Sequence, residues 1–356
     1  MKKQVLAIAI AGAMALPAAA MADAAVYGKI HTSIDYQNSN TDATGTNSKS
    51  GLGLVSNSSR FGIKGSHDLG NGLKAIFQVE NGFSEQSGDG KLSNRNTFIG
   101  LSGGFGTALI GRHDTPMKSL GRKTDLFGDQ VGDTRNTMSL KLNGSSGFDI
   151  RPAQVLAYVS PKFGGFQVVG AYIFDAGTKN ASGYSLLGQY GMGPLYVGLA
   201  YESHGKGMYT GGTKAETAVR LGATYKIAAF KVVGYYENAS NLGGVENFTS
   251  NGEKASANAY GLGGQYTFMG NNHVKVQYNV VDPKGSKNNG SQAAVGFQHD
   301  FTKQVSAYVD YAQMTNDDNA TFVPWGGGHG GELSGVQPVA AGQNPSALSA
   351  GMWVKF

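Results

Sequence analysis

The stretch Val26-Tyr-Gly-Lys-Ile-His-Thr-Ser-Ile-Asp-Tyr36 alternates between apolar and polar side chains along its second half. Extended backbone places successive side chains on opposite faces of a strand. One face therefore carries Ile30, Thr32, Ile34 and Tyr36, and the other carries Lys29, His31, Ser33 and Asp35. The pattern predicts a β-strand with one apolar face and one charged face.

The same two-residue period recurs along the chain, for example at 195–202, 219–226, 274–280 and 305–311. It indicates sixteen candidate strands, which start near residues 24, 54, 72, 93, 105, 151, 166, 183, 194, 215, 230, 257, 273, 290, 304 and 346. Each is close to the ~9–11 residues that a tilted strand needs to cross a bilayer. Together they predict an all-β protein.

The connections between these strands alternate between short and long. The short ones contain residues that favour tight turns, and they lie at 68–72, 102–105, 161–165, 191–194 and 270–272. The long ones are polar and rich in Gly, Asn and Ser, and they include 37–51, 238–256 and 315–345. Short turns at one rim and long loops at the other are typical of transmembrane barrels.

The composition excludes several classes of protein. None of the 356 residues is Cys, so disulfide scaffolds, Cys-based zinc or iron–sulfur sites and thiol nucleophiles are ruled out. Gly is frequent, at 55 residues, but it has no Gly-X-Y period, which excludes collagen. A formal charge of +5 is too small on so long a chain to indicate a nucleic-acid partner.

The first residues resemble an export signal. Lys2 and Lys3 precede an apolar run at 5–16, and Ala20-Met-Ala22 fits a cleavage site. We expect residues 1–22 to be removed and 23–356 to form a single barrel domain. No later window has ~18 consecutive apolar residues, so no transmembrane helix is predicted.

The polar faces of the strands carry more Lys, Arg and Glu than a dry core could hold. Burying one unpaired charge costs several kcal/mol, whereas a water-filled interior leaves the charge solvated. The apolar faces must then contact lipid. The last ten residues, 347–356, also alternate and end in Phe, so they can close the barrel against the first strand. The sequence predicts a sixteen-stranded antiparallel transmembrane β-barrel around an aqueous channel.

Several stretches resemble the general diffusion porins of Gram-negative outer membranes, particularly the betaproteobacterial type. They are Tyr27-Gly-Lys29, Ser59-Arg-Phe-Gly-Ile-Lys-Gly65, 68–80, Asn94-Arg-Asn-Thr-Phe-Ile-Gly-Leu-Ser-Gly-Gly-Phe-Gly106, Gly111-Arg112, 158–166 and Trp353-Val-Lys-Phe356. The resemblance implies an integral outer-membrane protein, a homotrimer and a third loop folded into the lumen. Its partners would be small hydrophilic solutes, membrane lipid and lipopolysaccharide.

The segment 114–150 is about three times longer than a typical connection, and long loops of this kind are often functional. In the resembling family this position is the constriction loop. Its acidic candidates are Asp125, Asp129 and Asp133. Bases and acids balance within the segment, so it can present acids on one face and bases on another.

The wall opposite this loop should be basic. Lys29, Arg60, Arg95 and Arg151 match the positions at which similar porins place wall bases. Alternation supports the first three, because Ile30, Phe61 with Ile63, and Phe98 are expected to face lipid. Arg151 lies at a strand start, where the phase is open. The secondary lumen candidates are Lys64, Lys74, Arg112 and Arg220.

A basic wall opposite a neutral loop predicts a channel for small hydrophilic solutes and ions with a net preference for anions. The alternative for each single base is a solvated charge near a rim. A sugar-selective porin is a second possibility, but it calls for a lumenal row of aromatics that Tyr27, Tyr196, Tyr235 and Tyr308 do not obviously form. An outer-membrane adhesin or enzyme is a third.

Other motifs carry little weight. The seven His are scattered without metal-binding spacing, and Gly-x-Ser-x-Gly is absent, so we predict no metal, no cofactor and no catalytic residue. The stretch Gly326-Gly-Gly-His-Gly-Gly331 lacks the Lys-Ser/Thr of a phosphate loop. It is interpreted as a flexible linker in the longest external loop.

Overall fold

A computed structural model describes residues 24–40, 50–87, 90–142, 144–248, 252–285, 287–333, 336 and 339–356. The predicted signal segment 1–22 lies outside the described residues. The strands are β1 Ala24–Asn38, β2 Ser50–Ser56, β3 Arg60–Gly70, β4 Leu73–Gly82, β5 Ser93–Gly103, β6 Gly106–Arg112, β7 Val155–Val159, β8 Phe166–Ile173, β9 Gly183–Met192, β10 Leu195–His204, β11 Glu216–Ile227, β12 Phe230–Ser240, β13 Ser256–Phe268, β14 Asn272–Pro283, β15 Gly290–Asp300, β16 Val305–Asn316 and β17 Ser346–Lys355.

Two α-helices, α1 Pro116–Thr124 and α2 Arg135–Met138, lie between β6 and β7. Short 3-10 turns occur at Lys206–Met208 and Leu242–Gly244. Among the described residues, no helix is long and apolar enough to cross a membrane.

Apart from β2 and β3, which both pair with β1, the strands pair antiparallel with their neighbours in the chain, and the sheet closes on itself. Strand β1 pairs with β17 in a register that runs from Lys29 opposite Lys355 to Asn38 opposite Ser346. Backbone bonds between Gly28 and Phe356, of 2.9 and 3.1 Å, complete the seam. Closure leaves few unpaired edge groups in lipid, where each would cost several kcal/mol. The prediction that the last strand closes the barrel is confirmed.

Strands β2 and β3 both pair with β1 and together fill one position, so the barrel has sixteen strand positions, as predicted. The break between them has a local cause. Ser58 has a φ of 57°, in the left-handed region, which interrupts the extended backbone. The Ser59 hydroxyl replaces a backbone acceptor, because the His31 N–H donates to its Oγ at 2.9 Å.

The two faces of the wall differ as predicted. On β1, Ile34 is 54% exposed on the outer surface, whereas the adjacent Asp35 is fully buried on the inner side. The outer surface is covered by large apolar side chains from nearly all strands, including Leu199, Leu262 and Val276. Apolar residues outside and polar residues inside are the pattern of a barrel in lipid.

The predicted phase of β5 is wrong around Phe98. Phe98 packs with the inward-facing Leu109 and Val155, while its neighbours Thr97 and Ile99 are exposed. A register shift between Val79 and Asn81 of β4 leaves two residues of β5 opposite one. Such a bulge turns consecutive side chains towards one side. Arg95 therefore reaches the interior, but by the bulge and not by strict alternation from Phe98.

Residues 114–150, here called the inner loop, pack against the inner side of the wall. Helix α1 begins where the Thr115 hydroxyl caps the Lys118 N–H at 3.3 Å and Pro116 takes the first position. Buried Met117, Leu120 and Phe148 form a core with inward-facing residues of the opposite strands. Strand β7 begins at Val155, so Arg151 belongs to the end of the loop and not to a strand start.

The orientation of the wall can be tested at Leu262, which is 65% exposed at the middle of β13. Leu262→Arg should destabilise the barrel by about 2–4 kcal/mol, because a lipid-facing charge loses its water. The measurement is guanidinium unfolding in lipid vesicles. Gln265→Arg, three positions along on the inner face, is the matched control and should cost far less. Equal losses in the two variants would contradict the assigned faces.

Candidate functional site

Inside the barrel, a polar cavity of about 330 Å³ runs between the wall and the inner loop. We call it the basic passage. Its lining includes six bases, which are Arg95, Lys118, Arg122, Arg135, Lys141 and Arg151, and one acid, Asp149. Residues 327–330 complete the lining beside Ser58. Three separate parts of the chain therefore meet around this space.

The predicted wall bases Lys29 and Arg60 meet the inner loop directly. Lys29 Nζ lies 3.5 Å from Asp129 Oδ2, and Arg60 Nη1 lies 3.8 Å from the same oxygen. Strands β1 and β3 bring the two bases together through the pairing of Lys29 with Arg60. These two bases hold the loop against the wall, and neither lines the basic passage.

The other two wall bases line the passage. Arg95 Nε donates to Glu80 Oε1 at 2.6 Å. Arg151 Nε donates to the Asn96 side chain at 2.7 Å and lies 2.9 Å from Asp114 Oδ1. Each guanidinium is fixed by one carboxylate.

The loop acids do not form the open acidic face that was expected. Arg135 binds Asp129 at 2.9 Å and Asp133 at 2.5 Å, and both carboxylates are buried. Burial alone would raise the pKa of Asp129, but the charges of Lys29 and Arg135 outweigh it and hold the pKa far below its usual range. Asp129 is an ionised anchor for three bases.

Asp125 behaves differently from the other two acids. Burial, with repulsion from Asp133, raises its pKa well above the usual range. Its Oδ1 accepts the Phe127 N–H at 2.8 Å. Asp125 therefore shapes the loop through this bond, and it is not among the residues that line the passage.

Sequence reasoning missed the loop's own bases as lining residues. Lys118 and Arg122 are four residues apart on α1, so both reach the same side of the helix. Lys118 Nζ lies 3.1 Å from Asp114, and Arg122 is exposed in the last turn. Pro116, which favours a helix start, and the four-residue spacing of the two bases could have predicted that both lie on one side of a helix. The loop therefore faces the passage with bases.

The four secondary lumen candidates lie in four different environments. Lys64 lies on the inner face with its Nζ 5.0 Å from the centre of the Tyr27 ring. Lys74 lies on the face of β4 opposite to the outward-facing Phe77, and it is exposed at the start of the strand, near a turn. Arg112 lies in register with the exposed Thr97 and donates to the Arg151 carbonyl at 2.9 Å. Arg220, the fourth, is fully buried beneath the inner loop.

Arg220 joins β11 to both ends of the inner loop. It binds Asp149 with two nitrogens at 3.1 and 2.9 Å, and its Nε donates to Glu237 at 2.6 Å. Its Nη1 also donates to the Met117 carbonyl at 2.9 Å. All of its charge is thus paired inside the protein. It positions the loop and is inaccessible to solutes.

The interpretation of 326–331 as a flexible linker differs from the structure. His329 is only 4% exposed and bonds Asp35 on the inner face of β1 at 2.5 Å. The prediction that the chain has no metal site rests on the spacing of its His residues in the sequence. In the described ranges, no group of three or more His, Asp or Glu residues is placed to hold a metal ion.

The profile of the Gram-negative porins matches residues 7–319 of the chain. The chain belongs to the Gram-negative porin family. Outer membrane porin protein 32 of Delftia acidovorans is 30% identical over 375 residues, covering 99% of this porin and 99% of the relative. Major outer membrane protein P.IB of Neisseria meningitidis serogroup B is 31% identical over 347 residues, covering 93% and 98%.

Solved structures agree with this placement. The anion-selective porin from Comamonas acidovorans superposes with a TM-score of 0.79 at 26% identity, covering 94% of this porin and 99% of that chain. The trimer form of OmpT of Vibrio cholerae matches with a TM-score of 0.66 at 16% identity, covering 94% and 99%, which shows the shared fold. This porin is an integral outer-membrane protein, as predicted, and its relatives are channels.

The anchoring role of Arg220 predicts a large effect of its removal. Arg220→Met should lower the free energy of unfolding by about 3–5 kcal/mol, because Asp149 and Glu237 stay buried without their partner. Guanidinium unfolding measures the loss, and limited proteolysis should cut the porin within 114–150. Lys162→Met, at an exposed turn, is the control and should change neither. An intact, protease-resistant loop in Arg220→Met would contradict the anchor.

Proposed function

We propose that this porin is a passive diffusion channel for small hydrophilic solutes and that the basic passage is its constriction, with a preference for anions. The observation that carries the proposal is the lining of six bases against one acid. Fixed charge selects ions most strongly where the water-filled path is narrow and screening is weakest. The Comamonas acidovorans porin, which is anion-selective, supports the proposal through its similar fold and sequence.

The ion pairs leave a positive excess in the passage. Arg95, Lys118, Arg135 and Arg151 each have a carboxylate within 3.1 Å. Within the part of the chain that the structure describes, Arg122 and Lys141 have no carboxylate within ion-pair distance, and both are exposed. These two bases can meet a passing anion without first breaking a salt bridge.

The sugar-selective alternative has less support. Tyr27 donates to Glu80, Tyr196 to Gln189, and Tyr308 contacts His31, so these rings are held in separate polar networks. Tyr235 is buried beside Thr137 of the inner loop. The rings do not form a continuous row along the passage, as a sugar slide would require.

The quaternary structure and membrane partners belong to the same proposal. A homotrimer in contact with outer-membrane lipid and lipopolysaccharide is what the family resemblance implies. OmpT of Vibrio cholerae in its trimer form shares the fold. Chemical cross-linking in membranes, with a three-subunit product, is the test of the trimer.

Charge removal at Arg122 tests the constriction. Arg122→Gln should lower the anion-to-cation permeability ratio by at least about fivefold, since one unit charge at ~4 Å in water favours an anion by about 1 kcal/mol and disfavours a cation by a similar amount. The measurement is the reversal potential in a planar bilayer under a salt gradient. Lys162→Gln removes the same charge from an exposed turn and should leave the ratio unchanged.

Three outcomes would count against the proposal. A wild-type reversal potential on the cation side would overturn the anion preference. An equal, small response in Arg122→Gln and Lys162→Gln would place the selective region outside the basic passage. The absence of conductance steps in the wild type would contradict the channel itself.

Lys118 should make the selectivity depend on pH. Burial lowers its pKa to about 8, and repulsion from Arg151 and Arg122 adds to the effect, while Asp114 opposes it. The group is charged below this pKa and neutral above it, so the passage loses a positive charge as the pH rises from 7 to 9. Anion preference should therefore fall over this range. Lys118→Met should start lower and change less, and an identical pH response would refute the assignment.

A further inference from the structure

Two aromatic rings lie on the inner face of the wall, near the rim that carries the short turns. Trp353 is on β17 and Tyr27 is on β1, and both are partly exposed. Their strand neighbours Met352 and Val26 are exposed on the lipid side. Short turns mark the periplasmic rim of such barrels, so the two rings line the periplasmic half of the channel.

A lysine ammonium lies over each of these rings. Lys355 Nζ is 5.9 Å from the centre of the Trp353 ring, and Lys64 Nζ is 5.0 Å from the centre of the Tyr27 ring. The face of an aromatic ring carries partial negative charge and attracts a cation within about 6 Å. We call these four residues the basic–aromatic platform. It spans the three neighbouring strands β17, β1 and β3.

The two lysines of the platform are free to meet a solute. Both are exposed, and in the described part of the chain neither lies within ion-pair distance of a carboxylate. Lys29 also lies near the Trp353 ring, at 5.3 Å, but it is buried and paired with Asp129. An anion can therefore bind Lys355 or Lys64 without first breaking a salt bridge.

The rings, in contrast, are held in fixed positions by the wall. Trp353 packs edge-on against His31, with the ring centres 5.3 Å apart and the planes at 74°. A Cβ on Gly62 would overlap the Tyr27 ring, so glycine at this position lets the ring lie against β3. A surface that is ordered before a ligand arrives loses less conformational entropy on binding.

One acid lies beside the platform, and its charge is compensated. Glu80 Oε2 accepts the Tyr27 hydroxyl at 3.0 Å, and Glu80 Oε1 accepts Arg95 Nε at 2.6 Å. Arg60 Nε lies 4.0 Å from the same carboxylate. The platform therefore keeps the positive charge of its two lysines.

The combination of ammonium and ring determines which anions fit best. An anion bound at either ammonium also lies next to an aromatic face. The partial negative charge of that face repels a small inorganic anion. A planar aromatic acid can instead place its carboxylate on the ammonium and its ring against the aromatic side chain, and contacts of both kinds are favourable.

We propose that the basic–aromatic platform is a binding site for small aromatic carboxylates. The carboxylate binds Lys355 or Lys64, and the ring of the solute packs on Trp353 or Tyr27. This inference rests on the proposed channel function and names one class of solute that the channel favours. The site lies outside the basic passage, because none of its four residues lines that cavity.

The first test compares two acids of equal charge and similar size. Benzoate is planar and aromatic, whereas cyclohexanecarboxylate has a saturated and slightly bulkier ring. Each acid is titrated against the chloride current of the wild type in a planar bilayer. Benzoate should reach half-inhibition at an about threefold lower concentration, because only its ring can form an aromatic pair. A block that depended on bulk would favour cyclohexanecarboxylate instead.

Removing the rings should remove this preference. Trp353→Leu combined with Tyr27→Leu should raise the half-inhibitory concentration of benzoate to that of cyclohexanecarboxylate and leave the second value unchanged. Tyr260→Leu removes an aromatic ring from the lipid side and is the matched control, which should keep the threefold preference. Lys355→Met combined with Lys64→Met should weaken the block by both acids.

The second test observes binding at the ring itself. The chain has two Trp, and Trp325 is only 2% exposed, so Trp325→Phe leaves Trp353 as the single tryptophan. The quencher 4-nitrobenzoate should lower the fluorescence of this variant along a saturating curve. Neutral 4-nitrobenzyl alcohol should quench in proportion to its concentration, as random collisions do. Adding Lys355→Met and Lys64→Met should remove the saturation.

The outcomes separate this inference from the channel proposal. Equal block by the two acids, with quenching by 4-nitrobenzoate that does not saturate, would overturn the aromatic-acid site while anion-directed conductance steps persist. Missing steps or a cation-directed potential in the wild type would instead overturn the proposed function. Should the variant without the two rings fail to fold, the fluorescence of Trp325→Phe decides, because this variant keeps the whole platform.

Discussion

The carboxylate of Asp129 is the contact on which the interior depends. It lies within 4 Å of Lys29, Arg60 and Arg135, and so it ties two wall strands to the inner loop. Those bases cannot face lipid, and in the crowded interior they need a partner. Because the one acid satisfies three bases, the part of the loop around Asp129 is held against β1 and β3. The open space lies beside this contact, among Arg95, Arg122 and Arg151.

This arrangement divides the charges of the interior into two groups with different tasks. Arg220 and Lys29 are covered and paired, and they fix the position of the loop. Arg122 and Lys141 are exposed and give the passage its sign. A count of bases in the sequence cannot separate the groups, because what matters is which bases the loop covers.

The sequence allows the barrel to be predicted almost strand by strand, because apolar and polar side chains alternate wherever one face of a strand contacts lipid. It fails where the backbone leaves that period. The bulge opposite Glu80 reverses the phase of Phe98, although the inward position of Arg95 survives. Asp133 binds Arg135 because the turn of the loop brings the two side chains together. His329 is buried because it binds Asp35, which is distant in the sequence. No local pattern encodes either contact. Glycine-rich composition indicated a linker, when it reflects close backbone packing.

The seam between β1 and β17 also bears on how the molecule assembles. Strand β1 holds the inner loop through Lys29 and the loop between β16 and β17 through Asp35, yet its sheet partner β17 lies at the other end of the described chain. Contacts so distant in sequence form slowly. The contacts of both loops with β1 should therefore form late, together with the meeting of the two ends of the sheet. Closure of the barrel and narrowing of the water-filled channel then occur together. A barrel that has not closed would therefore have a wider channel than the finished one.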